Sequence, residues 1–299
     1  MQHSLAGSCQ NAISDSGRLT KGAVGLLSAM RLSFLCGSAA AMLTLASCRA
    51  SAPATSAPAP VTVPVVRATY ATGEDVIAAM HDRYAGKWYN TLTFKQQTPR
   101  LAPDGKWNVQ TWYEAMRVPG RLRIDFDPIS AGNGVLYTRD SAFAITNGRS
   151  LRPQASINPL LLLGFDVYGN PPARTAALLR KEGYDLTLVH ADTFQQRRMI
   201  VVGARPGDMH QRQFWIDAER LYFVRILEPA PRDSLATQDI RFLNYEPRGT
   251  AWISPRVEVW TNGKLGFHED YSDMRTDVPL DDALFDPTKW KTTKHWMTP

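Results

Sequence analysis

The chain has 299 residues, 44% of them hydrophobic, 21% charged and 10% aromatic, which are ordinary globular values that leave room for one large domain or two small ones. No apolar run reaches the roughly 20 residues of a membrane-spanning helix, so a polytopic membrane protein is excluded. The formal charge is +6, but +2 of it falls in residues 1–47, and the +4 that is left is too mild to point to nucleic acid.

Residues 1–29 are polar and Gly/Ser-rich, and they precede a complete export signal with its own Met30. We expect translation to begin at Met30, leaving residues 1–29 untranslated or unstructured. Residues 30–47 read as a lipoprotein signal peptide: a positive start at Arg31, about a dozen apolar residues, then LASC at 45–48. That ending looks like a bacterial lipobox, which implies cleavage before Cys48 and acylation of its thiol by palmitate-type chains. Cys9, Cys36 and Cys48 are the only cysteines, so the part beyond residue 48 has no disulfide framework and no thiol nucleophile. Residues 48–68 are rich in Pro, Ala and Ser, a lipid-anchored spacer that reaches about 60 Å at about 3.1 Å per residue.

A domain is expected over residues 69–299. Thr72, with Asp75 three positions on, marks a helix start, and Val76, Ile77, Met80 and Tyr84 follow at helical spacing before Gly86. Strand signals then dominate. In WYNTLTFKQQ (88–97), Trp88, Leu92 and Phe94 share one face. Turns at 103–105 and 119–120 lead into NVQTWYEAMR (108–117) and RLRIDFD (121–127), the latter with Leu122, Ile124 and Phe126 on one side. Asn147-Gly148 and Asn262-Gly263 are hairpin signals. A helical insertion interrupts near 157–183: Asn158-Pro159 forms an N-cap and N1 pair before Leu160, Leu161, Leu162 and Leu163, and ARTAALLRKEG (173–183) carries Leu178 and Leu179. Strands resume to about residue 274, including Leu186–His190 and an unbroken 252–260. The fold class is therefore mainly β: one large curled antiparallel sheet, an incomplete barrel of about 11–12 strands, wrapped over a few lid or plug helices.

At this point the chain resembles the LolA/LolB lipoprotein-carrier superfamily, which also includes RseB-type sensors. The residues that carry the resemblance are the leading helix (73–85), LTFKQQ (92–97), MRVPGRLRIDF (116–126), TNG (146–148) and VPLDDALFDP (278–287). The resemblance implies a half-barrel whose helices lid an apolar cavity for acyl chains, and a function in lipid or lipoprotein binding without chemistry. The nearest match to an exposed acceptor-type loop is the 160–163 leucine run.

No nucleophile elbow, phosphate loop, dinucleotide fingerprint or HExxH occurs, so no catalytic residue, metal ligand or cofactor is assigned. The histidines beyond the signal, His81, His190, His210, His268 and His295, never form a close pair. Strand alternation puts His268 and Asp270 on one face, read as a solvated outer one, with Glu269 pointing the other way. Lys95, Arg117, Arg121 and Arg123 read as a basic stripe on that outer face, and Asp125 as an exposed strand end. The candidate cavity residues are Trp88, Leu92, Phe94, Leu122, Ile124, Phe126, Phe223 and Phe242, with Leu160, Leu161, Leu162, Leu163, Leu178 and Leu179 as lid candidates. Two functions stay open: an envelope lipoprotein that binds lipid or acylated lipoprotein and takes part in sorting to the outer membrane, and a periplasmic sensor or scaffold that binds a protein partner through the same fold. Both are membrane-tethered through acyl chains and face the periplasm, more in keeping with the outer than the inner membrane, and neither engages nucleic acid.

Overall fold

In the computed structural model, residues 70–231 and 233–297 are described, and the expectations for residues 1–69, Cys48 among them, lie outside these. Helix α1 (Gly73–Tyr84) begins with a capping box: the Thr72 hydroxyl accepts from the Asp75 N–H at 3.2 Å, and the Thr72 N–H donates to the Asp75 carboxylate at 2.9 Å. Its Val76, Ile77 and Met80 are fully buried.

Strands β1 (Thr91–Leu101), β2 (Trp107–Arg117), β3 (Arg121–Phe126), β4 (Gly134–Thr138), β5 (Ser141–Thr146), β6 (Arg149–Ser150) and β7 (Gln154–Ala155) follow as a meander. Helices α2 (Pro159–Gly164) and α3 (Pro172–Lys181) interrupt it. A second run then comprises β8 (Val189–Phe194), β9 (Arg197–Val202), β10 (Gln213–Asp217), β11 (Phe223–Ala230), β12 (Asp233–Leu243), β13 (Glu246–Arg248), β14 (Ala251–Ile253), β15 (Arg256–Thr261) and β16 (Lys264–Thr276).

Fourteen strands form one antiparallel sheet in the order β6-β5-β4-β3-β2-β1-β16-β15-β12-β11-β10-β9-β8, with β7 beside β5, and the sheet is not closed into a barrel. Strands β13 and β14 pair separately. The sheet exceeds the expected twelve strands through two-residue pieces such as β6 and β7, too short to show a period of two. Two further expectations shift. The first strand after the insertion starts at Val189, because residues 185–188 turn instead, with Asp185 accepting from the Thr187 N–H. The expected 252–260 strand is cut at Ser254-Pro255, where proline removes a ladder donor. The turns behave as read: Asn147 and Gly148 have φ of 51° and 70°, and Asn262 and Gly263 have 48° and 74°, the paired left-handed conformation of a tight hairpin.

The main core lies between the inner face of the sheet and the helices. A second, smaller core of Leu136, Ile145, Leu284, Phe285 and Trp290 forms where residues 277–297 fold back over β3 and β4. That segment is packed closely: a Cβ on Gly134 would sit 2.7 Å from the Trp290 ring and 2.1 Å from the Ile124 carbonyl oxygen.

Candidate functional site

The cross-strand register builds one continuous inner face. Ile124 lies opposite Glu114, Glu114 opposite Phe94, Ile240 opposite Val259, and Val259 opposite Phe267. Directly opposed residues point to the same side of a sheet, so these six line the concave surface together. Over this surface lies α2. The Asn158 side chain caps it by accepting from the N–H groups of Leu160 and Leu161, at 3.0 and 3.3 Å. Between them is a cavity of about 120 Å³, walled by Phe94, Met116, Leu122, Ile124, Ile240 and Phe242 and roofed by Leu160, Leu161 and Phe165.

Of the candidate residues, the structure thus brings Phe94, Leu122, Ile124, Phe242, Leu160 and Leu161 to the cavity. The others lie elsewhere. Trp88 precedes β1, where strand alternation does not apply, and it stacks on Tyr168 at 3.7 Å within an aromatic cluster that includes Tyr84. Leu92 is fully buried in the core. Phe126, at the end of β3, packs against Trp112 at 5.1 Å. Phe223 lies edge-on to Phe242 at 4.9 Å and is not among the lining residues. Leu163 and Leu179 are fully buried, and Leu162 and Leu178 face a different space. The leucine run is a packed lid and not an exposed loop.

Alternation carries a signal for further lining residues as well. Trp112, Glu114 and Met116 share one face of β2, and Glu269 opposes His268 and Asp270 on β16. All four of Trp112, Glu114, Met116 and Glu269 line the cavity, with Arg100, Gln238 and Tyr271. Tyr271 donates to Glu269 at 2.7 Å. Burial pushes the Glu269 carboxyl up to about 7, against the hydrogen bonds of Tyr271 and Gln96 and the charge of Arg100. Glu114, 5% exposed, is driven well above the ordinary carboxylate range by burial, and the Glu269 charge adds to this. The cavity is therefore apolar with an acidic element in its wall.

Behind the lid lies a second, more polar space of about 300 Å³, shared at Asn158 and Leu161 and bounded by Gly120, Asp140, Asp166 and Arg174. Two contacts tie the helical insertion to the sheet here. Asp166 accepts from the Gly120 N–H at 2.8 Å, and Arg174 pairs with Asp140 at 2.8 Å. Burial raises the Asp166 carboxyl to about 7 despite both the Gly120 bond and the Arg174 charge.

Of the expected outer basic stripe, Arg123 is buried, and Lys95, Arg117 and Arg121 stay partly exposed. Arg123 is 2% exposed, bonded to both oxygens of Asp125 at 2.7 and 2.9 Å, and stacked on Trp290 at 3.7 Å. Arg117 and Arg121 both reach Asp282. The C-terminal segment occupies the face that alternation alone assigns to solvent, and Asp125 is buried with it. Among the described residues, no cluster of three or more His, Cys, Asp or Glu could hold a metal ion, and no helix is long and apolar enough to cross a membrane.

No family model and no curated protein matches this chain. It is similar to three solved structures. A DUF1329 family protein from Desulfovibrio piger is 15% identical, over 72% of this chain and 95% of that one, with a TM-score of 0.47. A domain from Vibrio parahaemolyticus, described as an outer membrane lipoprotein-sorting protein, is 9% identical over 73% and 97%, with a TM-score of 0.49. A LolA superfamily protein from Nitrosomonas europaea is 13% identical over 70% and 96%, with a TM-score of 0.46. At these values the likenesses decide nothing about function, which has to be read from the cavity.

Proposed function

We propose that this chain is a non-enzymatic lipoprotein of the bacterial envelope, tethered through acyl chains on Cys48 and facing the periplasm, that binds lipid or lipoprotein acyl chains beneath α2 and serves lipoprotein sorting to the outer membrane. The observation that carries the reading is the apolar cavity between the concave face and a capped lid helix. Each methylene moved from water into such a space contributes about 0.8 kcal/mol. At about 120 Å³ the cavity is smaller than the roughly 300–1,000 Å³ of an ordinary ligand pocket, so a long chain needs the lid to yield. The polar space behind α2 gives it somewhere to go.

The test is native mass spectrometry of the full chain purified from an envelope extract, followed by lipid extraction. Co-purifying lipid or acylated peptide is expected. It should be lost in Val259→Trp, which fills the cavity at an overpacking cost of about 1–3 kcal/mol and leaves a folded chain. An apo mass that takes up no added fatty acid or lipopeptide overturns the reading.

A second reading, a sensor or scaffold with a protein partner, is favoured by the β1–β2 hairpin. Leu101, Trp107 and Val109 are 39%, 43% and 61% exposed, and the register puts all three on one face. Loss of partner capture in Trp107→Glu, with lipid content unchanged, would favour that reading over the first.

A further inference from the structure

Of the two carboxyls in the cavity wall, one has nothing to serve it. Glu269 has the Tyr271 hydroxyl at 2.7 Å, a Gln96 hydrogen bond and the nearby charge of Arg100. Glu114, in the middle of β2, is 5% exposed and lines the same cavity. Among the described residues no hydrogen bond or ion pair reaches its carboxyl, and the one charge that bears on it, Glu269, has the same sign. Its strand neighbours are apolar: Phe94 lies opposite on β1 and Ile124 opposite on β3, and Met116 is two residues along the same face.

A hydrophobic residue of similar size would fill this position at less cost than an acid that lacks a partner. A carboxyl held in such a place is suited to a ligand that brings the missing donor and charge. An anionic head would meet the charge of Glu269 here, and Arg100, the one cation among the described residues that line the cavity, already acts on Glu269. We propose that Glu114 receives the cationic head of a single-chain amphiphile, an alkylammonium in its simplest form, whose apolar part lies among Phe94, Met116, Leu122 and Ile124. This rests on the reading of the cavity as a binding site.

Burial raises the Glu114 carboxyl well above the ordinary carboxylate range and a bound cation favours its ionised form, so capture of a cation promotes loss of a proton to solvent, a signature that a neutral ligand lacks. The experiment compares octylammonium, octanol and octanoate on the full chain at pH 7.5, by displacement of neutral N-phenyl-1-naphthylamine and by calorimetry in buffers of different ionisation heat. Octylammonium should bind at least about tenfold tighter than either of the others and release protons to the buffer. Glu114→Gln should bring the three probes within about twofold of one another and abolish the release. Glu269→Gln should keep the preference. Equal binding of the three probes, or a preference for octanoate, overturns the inference and leaves the cavity reading standing. Binding of none of them overturns both. If Glu114→Gln does not fold, the probe series and the proton count on the unaltered chain still decide.

Discussion

Replacing Asp166 with Asn should make the protein more stable at pH 8 and leave it nearly unchanged at pH 4. The side chain is 5% exposed and holds the Gly120 N–H at 2.8 Å, and its carboxyl is raised from 3.8 to about 7. A carboxyl whose pKa is higher folded than unfolded binds more protons in the folded state between those two values. Its contribution is therefore greatest below about pH 4, declines as pH rises toward about 7, and levels off above. At about 1.4 kcal/mol per pH unit over that interval, the ionised Asp166 costs the fold at most about 4 kcal/mol at pH 8. Asn keeps the acceptor for Gly120 and cannot ionise. Urea unfolding of both chains from pH 4 to 8 measures this directly, because the other buried carboxyls titrate alike in both and cancel in the difference. A stability difference that stays flat across that range would refute the reasoning.

Two other outcomes follow from the geometry. Arg123→Met strands Asp125, 1% exposed, without its bidentate partner and should lower unfolding stability by about 3–5 kcal/mol. Replacing both members, Arg123→Met with Asp125→Leu, should cost markedly less, and a denaturation comparison of the two variants checks this. Asn158→Ala removes the cap of α2 and should cost about 1 kcal/mol, with faster amide exchange confined to residues 159–164 if the lid opens as a unit.

The sequence made the local features legible and left the non-local ones hidden. The α1 capping box, the two Asn-Gly hairpins and the cap of α2 depend only on neighbours in the chain, and each is where its residues place it. Alternation correctly groups Leu122 with Ile124, and it separates Glu269 from His268, but a period of two does not say which face is covered or by what. Thus Arg123 and Asp125 read as solvated although residues 277–297 lie across them, and Trp88 read as lining although it precedes the strand. Glu114 shows the same limit: alternation groups it with Trp112 and Met116, but nothing in NVQTWYEAMR says that this face meets a cavity shaped by β12, β15 and β16.

The sheet order also bears on how the protein acquires its shape. On one side of β1 the strands run back through β2, β3, β4 and β5, and on the other β8 to β12 pair each with the next, so both halves can assemble from neighbouring hairpins. The two halves meet where β1 pairs with β16, with Leu92 opposite Thr276 across almost the whole length of the folded chain. That pairing carries the greatest loop-closure cost and is expected to form late. Phe94, Leu122 and Ile124 come from one half, and Ile240, Phe242 and Val259 from the other. Until the seam zips, the chain has two exposed apolar troughs in place of one enclosed space, and this is the interval in which it would need shielding from other chains.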